Sequence, residues 1–354
     1  MNDPTRLLLL ACAVALGLCG APSASANRVT TVIGQAKNSP LDTPFGVALL
    51  PGEEGKEDLV ILEYDGGRLF KLDRAGELHL VAGEHRTKGY VGDGGPAPDS
   101  RFDGLHSLAI APDGTIYLAD TWNHAIRTIS PDGKVGTLAG NGEAGFSGDG
   151  GNLESAQFDS PISIELSPDA ATLYVVDLKN RRLRAIDIEA GSIRTVAGSG
   201  DRGIPTDGKE ATSSPLVDPR AVAVGADGTL YLLERGGHAL RKVSPDGKIS
   251  TVAGTGEKGN ADGPARDATF DGPKDVAVAG DGTVYIADAE NHLIRKYDPE
   301  DGTISTILGG EDSPTKLARP HGVYISPDGD LFVTDSYNHR VLKLKVEEDE
   351  NDKP

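Results

Sequence analysis

The chain has 354 residues, a formal net charge of −19, 46 glycines, 22 prolines and two cysteines. Such acidity disfavours a nucleic-acid partner, because a phosphate backbone is repelled unless one face gathers the basic residues. Both cysteines, Cys12 and Cys19, sit near the start, so the rest has neither disulfide nor thiol chemistry and must rely on core size, which its length supplies.

In chain order, the N-terminus reads as an address. Arg6 is a small positive region, Leu7 to Leu18 is an apolar run too short to cross a bilayer comfortably, and Ala24-Ser25-Ala26 is a small-residue cleavage signal. A signal peptide over 1–26 is expected, leaving 354 − 26 = 328 residues exported to the periplasm or the medium. An uncleaved membrane anchor is one competing reading. A lipoprotein attached through Leu16-Gly17-Leu18-Cys19 is another, although Leu18 is bulky for the position before a lipidated cysteine. No second apolar run is long enough for a membrane span. At the other end, 346–354 carries Glu347-Glu348-Asp349-Glu350-Asn351-Asp352 without apolar periodicity and is expected to be disordered.

Between these ends, helical periodicity is nearly absent and short β-type runs are punctuated by Asp-Gly turns. The clearest unit begins at Phe270-Asp271-Gly272-Pro273-Lys274-Asp275-Val276-Ala277-Val278. It continues through Thr283-Val284-Tyr285-Ile286-Ala287-Asp288, then Asn291-His292-Leu293-Ile294-Arg295-Lys296-Tyr297, and ends on Thr303-Ile304-Ser305-Thr306-Ile307-Leu308-Gly309. These are four strands, a to d. The acid closing strand b recurs at Glu63, Asp120, Asp177, Glu234, Asp288 and Asp335, separated by 57, 57, 57, 54 and 47 residues. Seven residues on stands Arg127, Arg184, Arg241 or Arg295 in four copies, but Phe70 and Leu342 in the others.

Four-stranded units at this period are propeller blades, which bury their faces only by stacking around an axis. The expected fold is all-β: a six-bladed β-propeller of four-stranded blades over 27–345. The last unit lacks a strand d, and Thr30-Thr31-Val32-Ile33-Gly34 matches that strand's signature. The N-terminal strand is therefore expected to close the last blade. In strand a, one column is small at Ala48, Ala109, Ala223 and Ala277, as convergence on an axis requires, but holds Glu165 and Tyr324 in two copies. A carboxylate there needs a partner, a solvated rim or a function.

The repeat resembles the NHL family, whose naming triplet stands at Asn291-His292-Leu293, with near matches at Trp122-Asn123-His124, Lys179-Asn180-Arg181 and Tyr337-Asn338-His339. The resemblance covers roughly 28 to 345. Its spacer, Gly140 to Gly151 with a shorter form at Gly254 to Gly263, is similar to that of bacterial exported NHL proteins. The resemblance implies the propeller fold but leaves function open, since such propellers bind RNA or protein or act as enzymes.

The b–c turns and long d–a loops share one face, the top, where rigid scaffolds present binding loops. Asp-Gly pairs at Asp93, Asp149, Asp207 and Asp262 are read as turn chemistry; calcium, which needs six to eight converging oxygens, is the alternative. The repeated acids and His124, His238, His292 and His339 are read as structural. The position after the strand-a proline or its equivalent differs between copies: Phe45, His106, Ile162, Arg220, Lys274 and His321. It is expected to enter the channel mouth. Alternate blades then present His106, Arg220 and His321. This pattern resembles the amidating-lyase relatives, whose resemblance implies zinc on three channel histidines, but an arginine cannot ligate a cation. A carboxylate or other anion suits Arg220 and Lys274 better. Trp122, the single tryptophan, and Tyr337 lie in b–c turns as candidate contact anchors.

These residues, with Glu165, are the candidate ligand site. No nucleophile elbow or phosphate loop is present, so no catalytic residue, metal ligand or cofactor is assigned. The leading expectation is a monomeric, non-catalytic binding or scaffold propeller that recognises a protein, peptide or glycan through its top face. The alternative is a metal-dependent enzyme, amidating-lyase-like or lactonase-like, with zinc or calcium in the channel.

Overall fold

The computed structural model describes residues 29–34, 39–52 and 57–346; the leader, both cysteines and the acidic tail lie outside the described residues. Six antiparallel sheets ring an axis. Blade 5 shows the pattern: strand a Asp275–Val278, b Val284–Asp288, c Leu293–Asp298 and d Thr303–Gly309. The innermost strands of the other blades are Pro44–Leu50, Leu105–Ile110, Pro161–Leu166, Pro219–Val224 and Gly322–Ile325. Each packs on its two neighbours, the sixth returning to the first. The core is six apolar layers between adjacent blades rather than one centre. Among the described residues, no helix is long and apolar enough to cross a membrane.

The N-terminal strand closes the ring as expected. Val29–Ile33 pairs antiparallel with strand c of blade 6, Val29 opposite Leu344 and Thr31 opposite Leu342. Sheets 4 and 5 are wider than expected, each gaining a two-residue fifth strand at its outer edge, Lys209–Glu210 and Gly263–Pro264.

The repeated residues act as repeated fasteners. Asp288 Oδ1 accepts the Asp271 N–H at 2.9 Å, while Oδ2 accepts from Asn291 at 2.8 Å and from Arg295 at 2.9 Å. Asp120 and Asp177 make the same three contacts with Asp103, Asn123 and Arg127, and with Asp159, Asn180 and Arg184. In blades 1 and 6 the arginine stands five residues after the acid instead of seven. Arg68 donates to Glu63 at 2.8 Å and Arg340 to Asp335 at 2.7 Å.

The triplet histidine staples blades together. His124, His238, His292 and His339 all adopt left-handed backbone, with φ between 43° and 59°. Each Nδ1 accepts an N–H from the following blade: Ser160 at 3.1 Å, Gly272 at 3.4 Å, Arg319 at 2.9 Å and Thr43 at 3.2 Å. The His339 staple crosses the closure. The glycine after strand d is fixed by the same turn, because a Cβ at Gly140 would lie 2.4 Å from the His124 carbonyl oxygen.

The Asp-Gly pairs of the d–a loops do more than turn the chain. Asp93 accepts from the buried Arg127 at 2.6 Å and from Thr137 at 2.8 Å; Asp149 serves Arg184 and Thr195 likewise, and Asp262 serves Arg295 and Thr306. Each long d–a loop thereby lies along the outer strand of the next blade and covers an edge that would otherwise be open to pairing.

Arg295 and Asp288 are fully buried, and stripping the counter-charge from such a pair costs about 3–5 kcal/mol. Asp288→Ala is expected to lower the unfolding free energy by about that amount in urea titration, whereas replacing both partners with leucine and methionine costs less.

Candidate binding site in the central channel

In blades 1, 3 and 4 strand a begins with a proline, Pro44, Pro161 or Pro219, that ends the loop and fixes its φ. In blades 1, 3 and 4 the ladder to strand b slips at the next residue, so that Pro219 faces Glu234 but Ala221 already faces Leu233. This bulge leaves Phe45, Ile162 and Arg220 without a partner on strand b and turns their side chains to the axis. In blade 2 the slip takes in His106 and Ser107. In blades 5 and 6, Lys274 and His321 precede the strand. All six line one cavity of about 150 Å³ on the axis. The expected mouth layer is therefore one ring of side chains.

That ring has two unlike halves. Blades 1, 2 and 6 present an arc of rings. Phe45 stacks on His321 with centroids 3.9 Å apart and on Tyr64 at 4.6 Å; Tyr64 meets His106 at 4.6 Å, and Trp122 stands edge-on to His106 at 5.6 Å. Tyr337 extends the arc beyond His321, at 6.0 Å. Trp122 and Tyr337 do not line the cavity but frame its entrance, 37% and 51% exposed. Trp122 is held by a 3.3 Å hydrogen bond from Nε1 to the Tyr64 hydroxyl, and Gly104 leaves it room, since a Cβ there would fall 2.2 Å from the indole.

Blades 4 and 5 present cations. Lys274 is buried and lies 3.6 Å from Glu290, which also bonds Arg319. Arg220 is only 6% exposed, lines the cavity, and has no hydrogen bond or ion pair from its guanidinium among the described residues. Burial lowers its pKa to about 10 despite the opposing pull of Asp275, so it stays charged. Burial, reinforced by Arg220, pushes Lys274 down to about 8.

Both histidines are neutral. Burial first, then the charge of Arg220, holds His106 and His321 far below the usual imidazole range. Their Nδ1 atoms lie 2.9 Å from the carbonyl oxygens of Gly104 and Arg319, which makes Nδ1 the protonated nitrogen and leaves Nε2 a lone pair. Two such nitrogens begin a metal site, but among the described residues no third donor joins them. The one group of three metal-type donors among the described residues is Asp73, Glu77 and His79, at the c–d turn of blade 1 and away from the channel. His79 there bonds Asp73 at 2.8 Å, which accounts for the cluster as a turn.

Below the mouth the inner strands hydrogen-bond across blades. Ser107 Oγ accepts the Ile164 N–H at 3.2 Å, Ser163 Oγ accepts that of Val222 at 3.2 Å, and Asp275 Oδ2 accepts that of Val323 at 3.0 Å. Asp275 thus has a structural task with one oxygen. Its enclosure raises its pKa to about 7, against the pull of the Val323 and Val276 N–H groups and Arg220. Glu165 lies two residues deeper than Ser163, lines the same cavity and has no hydrogen-bond partner among the described residues. It touches channel solvent but is enclosed by protein, and this burial, with the nearby charge of Asp275, raises it to about 8.

Of the candidates read from the sequence, His106, Arg220, Lys274, His321 and Glu165 share the cavity, and Trp122 and Tyr337 flank it. Sequence reasoning missed Tyr64, Glu290 and Arg319. For Glu290 the signal was available in the b–c turns, where the residue two past the acid reads Asp65, Trp122, Lys179, Gly236, Glu290 and Tyr337; such variation in a repeat is the same mark that singled out the mouth. The Asp-Gly loops, in contrast, were expected to share in the binding face. They contribute no lining residue, because their aspartates are committed to the buried arginines of the next blade.

A family model for the NHL repeat matches residues 102–129, 270–297 and 317–344, the inner three strands of blades 2, 5 and 6. This chain is an NHL-repeat β-propeller. Among curated relatives, it is 29% identical over 301 residues to the chloroplastic protein SUPPRESSOR OF QUENCHING 1 of Arabidopsis thaliana, covering 64% of this chain and 28% of that one. It is 26% identical over 226 residues to human NHL repeat-containing protein 2, covering 57% and 31%. The chain thus spans less than a third of the length of these relatives. Solved structures show the same fold. An auxiliary nutrient binding protein from Bacteroides ovatus superposes with a TM-score of 0.66 at 14% identity, covering 90% of this chain and 76% of that one. A streptogramin B lyase superposes at 0.55 and 16%, covering 90% and 98%.

The raised pKa of Glu165 has a thermodynamic sign. The folded NHL propeller keeps a proton on this group that the unfolded chain releases near 4.5. The resulting stabilisation is complete below that value and is lost as pH rises towards about 8. Thermal melts from pH 4.5 to 8 are expected to show wild-type Tm falling relative to Glu165→Gln, with the two offset by a constant amount if Glu165 titrates normally.

Proposed function

We propose that this NHL propeller is a non-catalytic binding module whose channel mouth takes a carboxylate-bearing ligand, such as the C-terminal end of a peptide. The observation that carries the proposal is Arg220: a residue only 6% exposed, lining the lumen, with no acid bonded to its guanidinium among the described residues. An unpaired buried cation is costly, and a chain selected for stability alone replaces it with an apolar side chain. An arriving carboxylate supplies the missing pair through a planar two-point contact. Lys274 adds a second donor, and the ring arc opposite gives the ligand's body a face to stack on. With the leader read in the sequence, the proposed site of action is outside the cytoplasm.

The two Nε2 lone pairs are the observation that favours the enzymatic alternative, in which a channel metal polarises a substrate. Against it stands the local charge: Arg220 and Lys274 lower both histidines and repel a cation equally. Dialysed protein is expected to hold well under one zinc or calcium per chain by elemental analysis. A stoichiometric metal that disappears in His106→Ala and His321→Ala would overturn the binding-module reading.

Trp122 is the only tryptophan, so its fluorescence reports on the mouth alone. Titration with hexanoate is expected to shift that emission saturably in wild type and not in Arg220→Met. The same variant is expected to melt no lower than wild type, because it removes a buried unpaired charge. An Arg220→Met protein that melts lower and still answers to hexanoate contradicts the proposal.

A further inference from the structure

The lumen holds unpaired groups of both signs at two depths. Arg220 stands at the mouth on blade 4. On blade 3, Glu165 occupies the level of Ala223, three residues further along the inner strand. At about 3.3 Å per strand residue, less some shortening by the bulge, Glu165 is rooted roughly 7–10 Å below Arg220 along the axis. The two do not pair with each other, nor with any other side chain among the described residues, yet both line one cavity. Between these levels the inner strands contribute Ile164, Val222, Val276 and Val323 to the lining. A second acid, Asp275 on blade 5, uses one oxygen on the Val323 N–H and lines the same cavity.

We infer that the ligand is dipolar: a carboxylate at Arg220 and Lys274, an apolar spacer down the lumen, and a primary ammonium at Glu165 and Asp275. This rests on the carboxylate reading above and specifies the rest of the molecule. The spacing selects the class. An α-amino acid's own charges are too close together to reach both levels. A lysine side chain, or an ω-amino acid with five methylenes, places six bonds of about 1.5 Å between carboxyl carbon and nitrogen, and so spans roughly 7–8 Å when extended. A narrow cavity of about 150 Å³ admits such a chain and excludes bulky ring systems.

Charge accounting supports the same occupant. Unliganded, Glu165 holds its proton because burial, with the nearby charge of Asp275, raises its pKa to about 8 and no cation offsets this. A docked ammonium supplies that cation, so the carboxyl ionises and its proton leaves for bulk water. Binding at pH 7 is therefore expected to release protons, which a carboxylate lacking the amine does not cause.

Isothermal titration at pH 7 in two buffers of different ionisation enthalpy tests this with 6-aminohexanoate and hexanoate. Wild type is expected to bind 6-aminohexanoate about tenfold more tightly, the worth of a charge-assisted contact out of bulk water, and to release protons with that probe only. Glu165→Gln is expected to lose most of that preference and to release fewer protons, those of Asp275 alone. Equal affinities in wild type, or a preference undiminished in Glu165→Gln, overturns the dipolar ligand; if hexanoate still binds through Arg220, the carboxylate reading survives alone. Failure of both probes to bind wild type overturns both. A lysine-terminated tripeptide separates the two sources of this chemistry. Tighter binding than 6-aminohexanoate, lost on amidating its C-terminus, assigns a peptide end, and weaker binding assigns a free ω-amino acid.

Discussion

The closed ring is the constraint from which everything else follows. Six inner strands converge on an axis, and each blade buries its faces only against its neighbours. The circle is completed by Val29–Ile33 pairing with blade 6 and by His339 accepting the Thr43 N–H. Crowding is greatest where blade 6 meets blade 1: a Cβ at Gly322 would lie 2.2 Å from the Phe45 carbonyl oxygen. The same convergence that demands glycine and alanine at the axis makes the larger side chains there conspicuous. Arg220, Lys274, Glu165 and the two histidines occupy space that the fold itself assigns to nothing.

The network of buried arginines and acids explains why polar residues pervade a fold held by apolar layers. Arg127, Arg184 and Arg295 each join a b-strand acid, the aspartate of a d–a loop and an aromatic ring. For Arg184 the ring is Phe146, 4.8 Å away; for Arg127 it is Tyr90, at 4.8 Å. One side chain thus fixes a turn, an outer loop and the edge of a sheet. Function separates cleanly from this frame. The fasteners recur in most blades, whereas the mouth position changes from blade to blade, histidine alone occurring there twice.

How much was legible in the sequence divides along that same line. The blade period, the closing strand and the mouth layer were readable because repetition aligns equivalent positions, and a column that varies within a constant frame draws notice. The five-residue spacing of Arg68 and Arg340 was not readable, since a guanidinium reaches its acid from either of two rungs of strand c and sequence distance does not say which. Nor was the edge-covering role of Asp93, Asp149 and Asp262, because Asp-Gly is ordinary turn chemistry until the loop is seen against the next blade. The ring arc escaped for a third reason. Tyr64 faces His106 only through the geometry of a turn in blade 1 and a bulge in blade 2, which no single-strand pattern encodes.

The central claim is that Arg220 is kept charged, buried and unpaired in order to receive a carboxylate. A high-resolution crystal structure of the protein soaked in 6-aminohexanoate at pH 7 tests it most directly. The account predicts carboxylate oxygens within hydrogen-bonding distance of the Arg220 guanidinium, about 2.7–2.9 Å, with the amine end beside Glu165. A lumen holding only water, with Arg220 swung onto Asp275 to form an internal ion pair, would contradict it.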